Sequence, residues 1–454
     1  MNLPVKFEER MREMLGKEYG AFYDAFQNAP VFSGIRINTA KRGAMEAVIS
    51  EFGKLEPVLW CSDGFYADKS KISGNHPYHL AGLLYFQEPS AMSAVEALPI
   101  SEGDYVLDLC AAPGGKSTQA GAKLNGSGLL VANELIKKRA DILSENIERM
   151  GIKNAVVTNE TPQRLSEKYP EFFDKIIVDA PCSGEGMFRK EPQAVDEWSI
   201  EHTVSCGIRQ KNILDCAVKM LKDGGYLVYS TCTFSPEENE KIAAYLIAAH
   251  GLELCDTGLN ALDSGRTEWS GTNIDMTKTR RIFPQNQKGE GHFVALFKKK
   301  GELKPHRELQ KKPSKNTALE SAVCLYRQFE KETLNIRLDG DFVLFSDNLY
   351  LKPQGIDIDK VRVVRCGLHL GVCKKNRFEP SHALALALTE EDFKNTVNFA
   401  ADSADLKRYL TGDVIECGKT GWTAVFADGF PIGWGKASGG IMKNHFPKYL
   451  RLKR

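Results

Sequence analysis

Two cysteines stand in turns after predicted strands, and both thiols are candidates for chemistry. Cys182 lies in the segment Asp-Ala-Pro-Cys-Ser-Gly at residues 179–184, and Cys232 lies in Ser-Thr-Cys-Thr at residues 230–233. The carboxyl ends of strands line the ligand crevice of an open α/β sheet, so we expect the two thiols to lie close together. A single cysteine in such a place is most often a small buried hydrophobe. Two of them, each beside turn residues, favour a functional pair.

Other uses of these cysteines are disfavoured. The chain has 11 cysteines and no C-x-x-C pair. No histidine or third cysteine has the spacing of a metal site, and disulfides are rare in large cytosolic proteins. Nucleophilic chemistry is the interpretation that remains.

A third turn predicts a cofactor site. Residues 108–118 read Asp-Leu-Cys-Ala-Ala-Pro-Gly-Gly-Lys-Ser-Thr, and their small side chains let backbone approach a ligand closely where a strand passes into a helix. Pro113 and the alanines before it break the spacing of a phosphate-binding loop, so ATP is disfavoured. Glu134, about twenty residues after the turn, has the position of an acid that accepts hydrogen bonds from a ribose diol. Its alternative is an exposed acid at the start of a helix.

The elements that must position these turns form repeated strand and helix units. One predicted helix carries Ala140, Leu143, Ile147 and Met150 on one face. Short apolar runs without alternation are typical of buried parallel strands. The runs are residues 105–109, 128–132, 155–157, 175–179, 225–229 and 292–296. We therefore predict an α/β fold, with a doubly wound, mostly parallel sheet in residues 96–300.

The flanking regions show no catalytic pattern. Residues 1–95 read as a small α/β unit, 301–325 as a basic linker, 326–390 as a small α/β module and 391–454 as a β-rich module. We expect the flanking modules to serve in recognition.

Size and charge bound the class of protein. At 454 residues the chain is too long for one hydrophobic core. The net charge of +1 does not indicate a nucleic-acid partner by itself. Between Lys298 and Lys315 lie eight lysines and arginines, which suit either phosphate binding or a solvated linker. No apolar run is long enough for a membrane span, and the start lacks the pattern of a signal peptide, so the cytoplasm is expected.

The motifs resemble those of a known family. Residues 108–118, 179–184 and 230–233 are similar to the cofactor, proline-cysteine and threonine-cysteine motifs of RNA cytosine-5 methyltransferases of the Sun/Fmu (NOL/NOP) group. The resemblance also covers residues 36–39, 87–90, 281–284 and 291–295. Within the group, the chain most resembles bacterial enzymes that methylate 16S ribosomal RNA. It implies a Rossmann-like class I methyltransferase domain with a seven-stranded sheet. Residues 428–436 resemble the end of a PUA-like RNA-binding module.

The resemblance also implies roles for the site residues. It makes Cys232 the nucleophile that attacks the base, and it gives Cys182 a part in proton removal or enzyme release. Asp179 stands where a carboxylate reaches base or cofactor. The residues implied to surround S-adenosylmethionine are Cys110, Ala111, Ala112, Pro113, Gly114, Gly115, Lys116, Glu134 and Asn159. Asn159 stands where the family usually has Asp, and its amide keeps an acceptor for the adenine amine.

Three alternatives to a 16S ribosomal RNA methyltransferase remain open. The target can be transfer RNA, or another substrate on the same fold, such as DNA or protein. DNA cytosine-5 enzymes take their nucleophile from a proline-cysteine motif, so the threonine-cysteine motif at Thr231 and Cys232 favours RNA. The chain can also be a ribosome-assembly factor that retains the fold, although both intact cysteines argue against it. A monomer is expected.

Overall fold

The computed structural model describes residues 3–68, 70–306 and 316–453. Within these parts of the chain, no helix has both the length and the apolar character needed to cross a bilayer.

The N-terminal region is a small α/β unit, as predicted. Its three-stranded antiparallel sheet has the order β2-β1-β3. The elements are α1 Val5–Leu15, α2 Tyr19–Asn28, β1 Gly34–Ile37, α3 Ala44–Phe52, β2 Gly64–Tyr66, α4 Pro77–Leu80 and β3 Leu84–Gln87. Arg36 of β1 is fully buried and joins this unit to the predicted cofactor turn, because its guanidinium donates to the Gly115 carbonyl at 2.7 Å and to Thr118 Oγ1 at 2.8 Å.

The central region alternates strands and helices, as its apolar runs predict. The first part comprises α5 Ser93–Ala97, β4 Tyr105–Asp108, α6 Gly115–Leu124, β5 Leu129–Asn133, α7 Lys137–Arg149, β6 Ala155–Thr158, α8 Pro162–Lys168 and β7 Phe173–Asp179. The second part comprises α9 Pro192–Glu197, α10 Ile200–Met220, β8 Leu221–Thr231, α11 Glu240–His250, β9 Glu253–Cys255, β10 Asp263–Ser264, β11 Arg280–Ile282 and β12 His292–Lys298.

The large sheet differs from the expectation of seven strands. In the described residues it has ten, in the order β10-β11-β12-β8-β7-β4-β5-β6-β15, with β9 also paired to β12. The five central strands, β6, β5, β4, β7 and β8, are parallel, and the others join antiparallel. The strand β15, Val363–Cys366, comes from the C-terminal part of the chain and pairs with β6. The count exceeds seven because short antiparallel strands cover both edges, which would otherwise expose unpaired backbone groups.

The core lies on both faces of this sheet. Along β4, Val106 points into the layer under α5, α6 and α7, whereas Leu107 points into the layer under α8, α10 and α11. This burial on two faces explains why the strands read as continuous apolar runs. It also means that the strand ends, where apolar residues stop, are the only places in the strands where polar side chains can meet a ligand.

The C-terminal part holds two further sheets, as expected for β-rich modules. The first has the order β13-β14-β16-β17 and the second the order β18-β20-β21-β22-β19. The first module contains α12 Thr317–Thr333, β13 Asp341–Phe345, β14 Asn348–Lys352, β16 Leu368–Lys374, β17 Arg377–Pro380 and α13 His382–Leu386. The second contains β18 Thr396–Phe399, α14 Ala404–Thr411, β19 Ile415–Glu416, β20 Gly421–Ala427, β21 Phe430–Ser438 and β22 Ile441–Asn444.

The predicted linker 301–325 is shorter than expected. Helix α12 begins at Thr317, where the Asn316 side chain accepts a hydrogen bond from the Leu319 backbone, and it is held by burial of Tyr326 and Phe329. The basic residues at 307, 311, 312 and 315 lie outside the described residues. Lys299 pairs with Glu171 and Asp223, so this lysine is neutralised within the chain.

Three histidines with lowered pKa values predict how stability depends on pH. Burial lowers the pKa of His292 to about 3, and those of His369 and His382 to about 4. Below their ordinary value near 6.5 the unfolded chain binds protons that the folded chain does not, so stability is complete above about pH 6.5 and is lost as pH falls. We expect each histidine to lower the free energy of unfolding by up to about 2 kcal/mol between pH 7 and pH 5.

Thermal unfolding of the wild type and of the double variant His369→Gln/His382→Gln measures this loss. At pH 7.5 the variant should unfold at a lower temperature than the wild type. Between pH 7.5 and pH 5, however, its unfolding temperature should fall by less than that of the wild type. Equal losses in the two proteins would contradict the prediction.

Candidate functional site

The structure brings the two predicted cysteines together. The Cys182 and Cys232 sulfurs are 3.2 Å apart, and both residues are half-buried free thiols. They follow the neighbouring parallel strands β7 and β8. Burial and the hydrogen bond to Cys232 raise the pKa of Cys182 well above its ordinary value, the hydrogen bond being the larger cause. The raised pKa keeps Cys182 protonated at neutral pH, with its sulfur within hydrogen-bond distance of the Cys232 sulfur.

A reciprocal set of hydrogen bonds fixes the two cysteine turns to each other. Glu238 accepts from the Ser183 backbone at 2.9 Å and from the Ser183 hydroxyl at 2.5 Å. In the other direction, Glu185 accepts from the Phe234 backbone at 2.9 Å. The Gly186 backbone donates to the Cys232 carbonyl at 2.9 Å. Each turn is thus held by an acid that follows the other cysteine, which fixes the sulfur positions.

Polar side chains beside the thiols surround Asp179. Lys116 forms an ion pair with Asp179 at 2.8 Å, the Ser230 hydroxyl donates to it at 2.8 Å, and His292 Nε2 lies 3.9 Å from it. Burial would raise the pKa of Asp179, but the positive charge of Lys116 and the hydrogen bonds from Lys116 and Ser230 outweigh it and lower this pKa. Asp179 is therefore a carboxylate that joins the thiol pair to the cofactor turn.

The predicted cofactor turn lies between β4 and α6. Gly114 has φ +117°, and a Cβ there would come within 3.2 Å of Leu143. The turn is held from α7, where Arg139 donates to the Ala112 carbonyl and Asn146 to the Pro113 carbonyl, both at 2.9 Å. Small side chains and outside support leave the backbone of residues 110–115 shaped for a ligand.

The structure places Glu134 and Asn159 side by side, next to this turn. Glu134 is 5% exposed and its Oε1 accepts from the Ile136 backbone at 2.8 Å, so it is not the exposed acid of the alternative. The Asn159 amide donates to the carbonyls of Glu134 and Leu135, both at 2.8 Å. An aspartate cannot donate these bonds, which is a physical reason for Asn at this position.

Family models match the chain along most of its length. Residues 95–298 match the 16S rRNA methyltransferase RsmB/F model, and residues 3–89 match the N-terminal domain of 16S rRNA methyltransferase RsmF. Residues 328–388 match the first C-terminal domain of RsmF rRNA methyltransferase, and residues 396–452 match the methyltransferase RsmF PUA domain.

Curated relatives agree in name and in length. Ribosomal RNA small subunit methyltransferase F of Vibrio vulnificus is 33% identical over 466 residues, covering 99% of this chain and 97% of the relative. The protein of the same name from Vibrio cholerae is 34% identical and covers 99% and 98% of the two chains. The chain belongs to the RsmF family of 16S rRNA methyltransferases.

Solved structures show the same catalytic fold as this RsmF-family chain. A methyltransferase homolog protein from Pyrococcus horikoshii is 28% identical with a TM-score of 0.58, covering 64% of this chain and 94% of that one. NSun6 from the same organism has a TM-score of 0.57 at 22% identity and shows the fold alone, covering 66% of this chain and 99% of that one. The predicted Rossmann-like methyltransferase fold is confirmed.

The cofactor of this methyltransferase is S-adenosylmethionine, and the residues of the site fit it. Asp108 at the end of β4 is fully buried, and burial raises its pKa to about 7. Its Oδ2 accepts from the Ser117 hydroxyl at 2.6 Å, whereas Oδ1 has no partner in the described residues. A buried polar atom without a partner beside a small-residue turn is expected where a polar ligand binds.

Sequence reasoning missed several residues of the site. Glu238, Glu185 and Gln210, whose amide donates to Glu238 at 3.0 Å, hold the thiols but lie outside the quoted motifs. His292 lies in the predicted strand 292–296 and in the segment 291–295 that carries the family resemblance, but neither pattern assigned it a role. A signal for the two acids existed, since each follows a cysteine by three or six residues in a polar turn. None existed for Gln210, which lies in the middle of a helix.

The ion pair of Lys116 predicts a measurable effect. In Lys116→Met, Asp179 loses its cation, so we expect about 1–3 kcal/mol lower stability at pH 7.5, less than for a fully buried pair because Asp179 is a third exposed. Methyl transfer should fall about tenfold to a hundredfold. The pKa of Asp179 should rise, so the loss of activity should be greater at pH 5 than at pH 7.5.

Lys123→Met is the matched control, since Lys123 lies on the same helix and pairs with Glu96 at 3.2 Å away from the thiols. It should leave methyl transfer within about twofold of wild type. Equal activity in both variants would argue against a role of Lys116 in the site.

Proposed function

We propose that this chain transfers a methyl group from S-adenosylmethionine to carbon 5 of a cytosine in 16S ribosomal RNA, through a transient bond between Cys232 and the base. The observation that supports this most directly is the pair of thiols 3.2 Å apart at the strand ends, next to the cofactor turn. A Rossmann-like fold accommodates many reactions, so the reaction is inferred from the residues of the site and not from the fold.

The thiol pair suits the chemistry of cytosine. Carbon 5 of cytosine is too electron-poor to take a methyl group directly. Addition of the Cys232 thiolate to carbon 6 forms a sulfur–carbon bond and shifts the electron pair of the 5,6 double bond, so that carbon 5 becomes nucleophilic. The cofactor supplies an electrophilic methyl group to carbon 5. Loss of the carbon 5 proton then restores the double bond, breaks the bond to sulfur and returns the Cys232 thiolate.

We propose that Cys182 acts in a second step. In the free enzyme its proton stabilises the Cys232 sulfur. Once Cys232 is bonded to carbon 6, its hydrogen bond to Cys182 is lost, and with it the main cause of the raised pKa of Cys182. Cys182 is half-buried, so it can release its proton to solvent and then accept the proton from carbon 5. We therefore assign enzyme release to Cys182.

The remaining site residues hold the cofactor. Glu134 accepts hydrogen bonds from the ribose, and the Asn159 carbonyl oxygen accepts from the adenine amine, since its amide nitrogen is engaged by backbone. Asp179 lies where the cofactor and base pockets meet. The backbone turn around the cofactor consists of Cys110, Ala111, Ala112, Pro113, Gly114, Gly115 and Lys116.

The relatives support 16S ribosomal RNA as the substrate. The similarity extends through the C-terminal modules, including the match to a PUA domain, and is not confined to the catalytic region. The base must leave any stack to reach the thiols, so we expect an unpaired or weakly structured target. Transfer RNA is the alternative substrate, and an assembly factor without activity is the alternative function.

We also propose the organisation of the enzyme. Regions 1–95 and 326–454 recognise RNA, 96–300 catalyses, and the linker ends before α12. We propose that the enzyme acts as a monomer. Two reactive thiols 3.2 Å apart need a reducing compartment to stay free, which supports the cytoplasm.

The test is transfer of labelled methyl from S-adenosylmethionine to isolated small ribosomal subunits, naked 16S ribosomal RNA and bulk transfer RNA. We expect 5-methylcytosine in the ribosomal RNA, identified by nucleoside mass spectrometry. Label only in transfer RNA would overturn the substrate, and no label in any pool would favour the assembly factor.

A further inference from the structure

His292 stands at the edge of the reactive centre with an unused ring nitrogen. It is the first residue of β12, and the next residue, Phe293, pairs with Thr231, so His292 lies beside the Cys232 end of β8. The residue is 3% exposed. Its Nε2 has no hydrogen-bond partner among the described residues and lies 3.9 Å from Asp179 Oδ1.

The surroundings make this nitrogen an acceptor. Burial and the nearby charge of Lys116 keep the ring neutral, against the weaker opposing effect of Asp179. The ring also hydrogen-bonds to the Gly291 backbone, an interaction that favours a ring N–H. Since Nε2 is the nitrogen without a partner, Nδ1 makes that bond and carries the proton. A neutral imidazole then presents a lone pair at Nε2.

The neighbouring oxygen is an acceptor too. Asp179 is a carboxylate and a third of its side chain is exposed, although Lys116 and Ser230 already donate to it. Two acceptors 3.9 Å apart match a group with two N–H donors on one atom. The exocyclic amino group of cytosine is such a group. Uracil has a carbonyl oxygen at that position, which both lone pairs would repel.

We propose that His292 is a specificity-determining residue for the target base, with Nε2 accepting one hydrogen of the cytosine amino group while Asp179 accepts the other. The inference rests on the proposed function and adds how the enzyme distinguishes cytosine from uracil. A site built around a hydrogen-bonding group of its substrate discriminates strongly against an analogue without it, because the polar atoms of the site are left unpaired.

The experiment compares two 16S ribosomal RNA transcripts, one natural and one with uridine at the nucleotide that the wild type methylates. Rates of 5-methylcytidine and 5-methyluridine formation are measured by mass spectrometry. His292→Phe keeps a buried ring and removes the acceptor, so kcat/KM on the natural transcript should fall about tenfold to a hundredfold, and the preference for cytosine should narrow. His292→Gln, which retains an acceptor, should recover part of both.

His369→Phe is the matched control. His369 is another histidine with an unpartnered Nε2, but it is only half-buried, lies in the first C-terminal module and stacks on Tyr350 at 4.6 Å. It should lower stability without changing the preference for cytosine. Should His292→Phe fail to bind S-adenosylmethionine in a calorimetric titration, His292→Asn, whose shorter side chain does not reach the base, should show the same narrowing.

The outcomes separate the two proposals. If the wild type methylates cytosine, and a folded His292→Phe or His292→Asn variant keeps the wild-type preference and kcat/KM, the role of His292 is wrong and the proposed function stands. If the wild type transfers no methyl group to the natural transcript or to small subunits, the proposed function itself is wrong.

Discussion

Cys232→Ala should abolish methyl transfer, with a fall of at least about a thousandfold in kcat, because no other group in the site can add to carbon 6. The Cys182 sulfur lies 3.2 Å from the Cys232 sulfur and follows a different strand, so it does not take the position of the lost nucleophile. Binding of S-adenosylmethionine should remain within about threefold of wild type, since the cofactor turn follows a different strand. Single-turnover transfer of labelled methyl, with a calorimetric titration of the cofactor, measures both.

Cys255→Ala provides the control for this variant. Cys255 is a half-buried free thiol on the short strand β9, at the edge of the large sheet. Its loss should leave transfer within about twofold of wild type. Substantial transfer by Cys232→Ala would exclude the covalent mechanism and leave the thiol pair without a catalytic role.

Cys182→Ala should stop the reaction at a later stage. Cys232 still adds to carbon 6, but the base that removes the carbon 5 proton is absent, so the bond to sulfur does not break. We expect turnover to fall about a hundredfold or more, and a protein–RNA complex that survives denaturant to accumulate in the presence of S-adenosylmethionine. Gel electrophoresis under denaturing conditions with labelled 16S ribosomal RNA detects this complex.

The double variant Cys182→Ala/Cys232→Ala is the control, since it lacks the nucleophile and should form no stable complex. A Cys182→Ala enzyme that turns over at the wild-type rate would assign release to another group. Inactivity without any complex would place Cys182 before the addition step, as a group that only positions or polarises Cys232.

The large sheet affects how the recognition regions can be tested. Arg365 of β15 is almost fully buried and pairs with Glu148 of α7 at 2.8 Å. The backbone of Asn159, the residue that we propose to bind adenine, donates to the Arg362 carbonyl at 2.9 Å. Deletion from residue 325 onward would therefore remove a strand of the catalytic sheet and disturb cofactor binding as well as RNA binding. Surface substitutions in the PUA domain are the better test of recognition.

The sequence by itself determined the parts of this protein that depend on local patterns. Unbroken apolar runs predicted the central strands correctly because a strand buried on both faces has no polar positions. The turns with Cys110, Cys182 and Cys232 could be assigned to strand ends because small residues must follow where a chain leaves a sheet beside a ligand. The proximity of the two thiols followed from the parallel order of those strands.

Only the tertiary structure decided which distant groups meet. The acids Glu185 and Glu238 hold each other's cysteine turns, and His292 reaches Asp179, through contacts between residues about 50 to 110 positions apart. Strand β15 joins β6 across some 200 residues. Such contacts depend on how whole elements pack, and a polar residue in a turn has the same local pattern whether or not a partner lies opposite it. The motifs therefore predicted the reactive residues, whereas they did not predict the residues that position those groups and shift their pKa values.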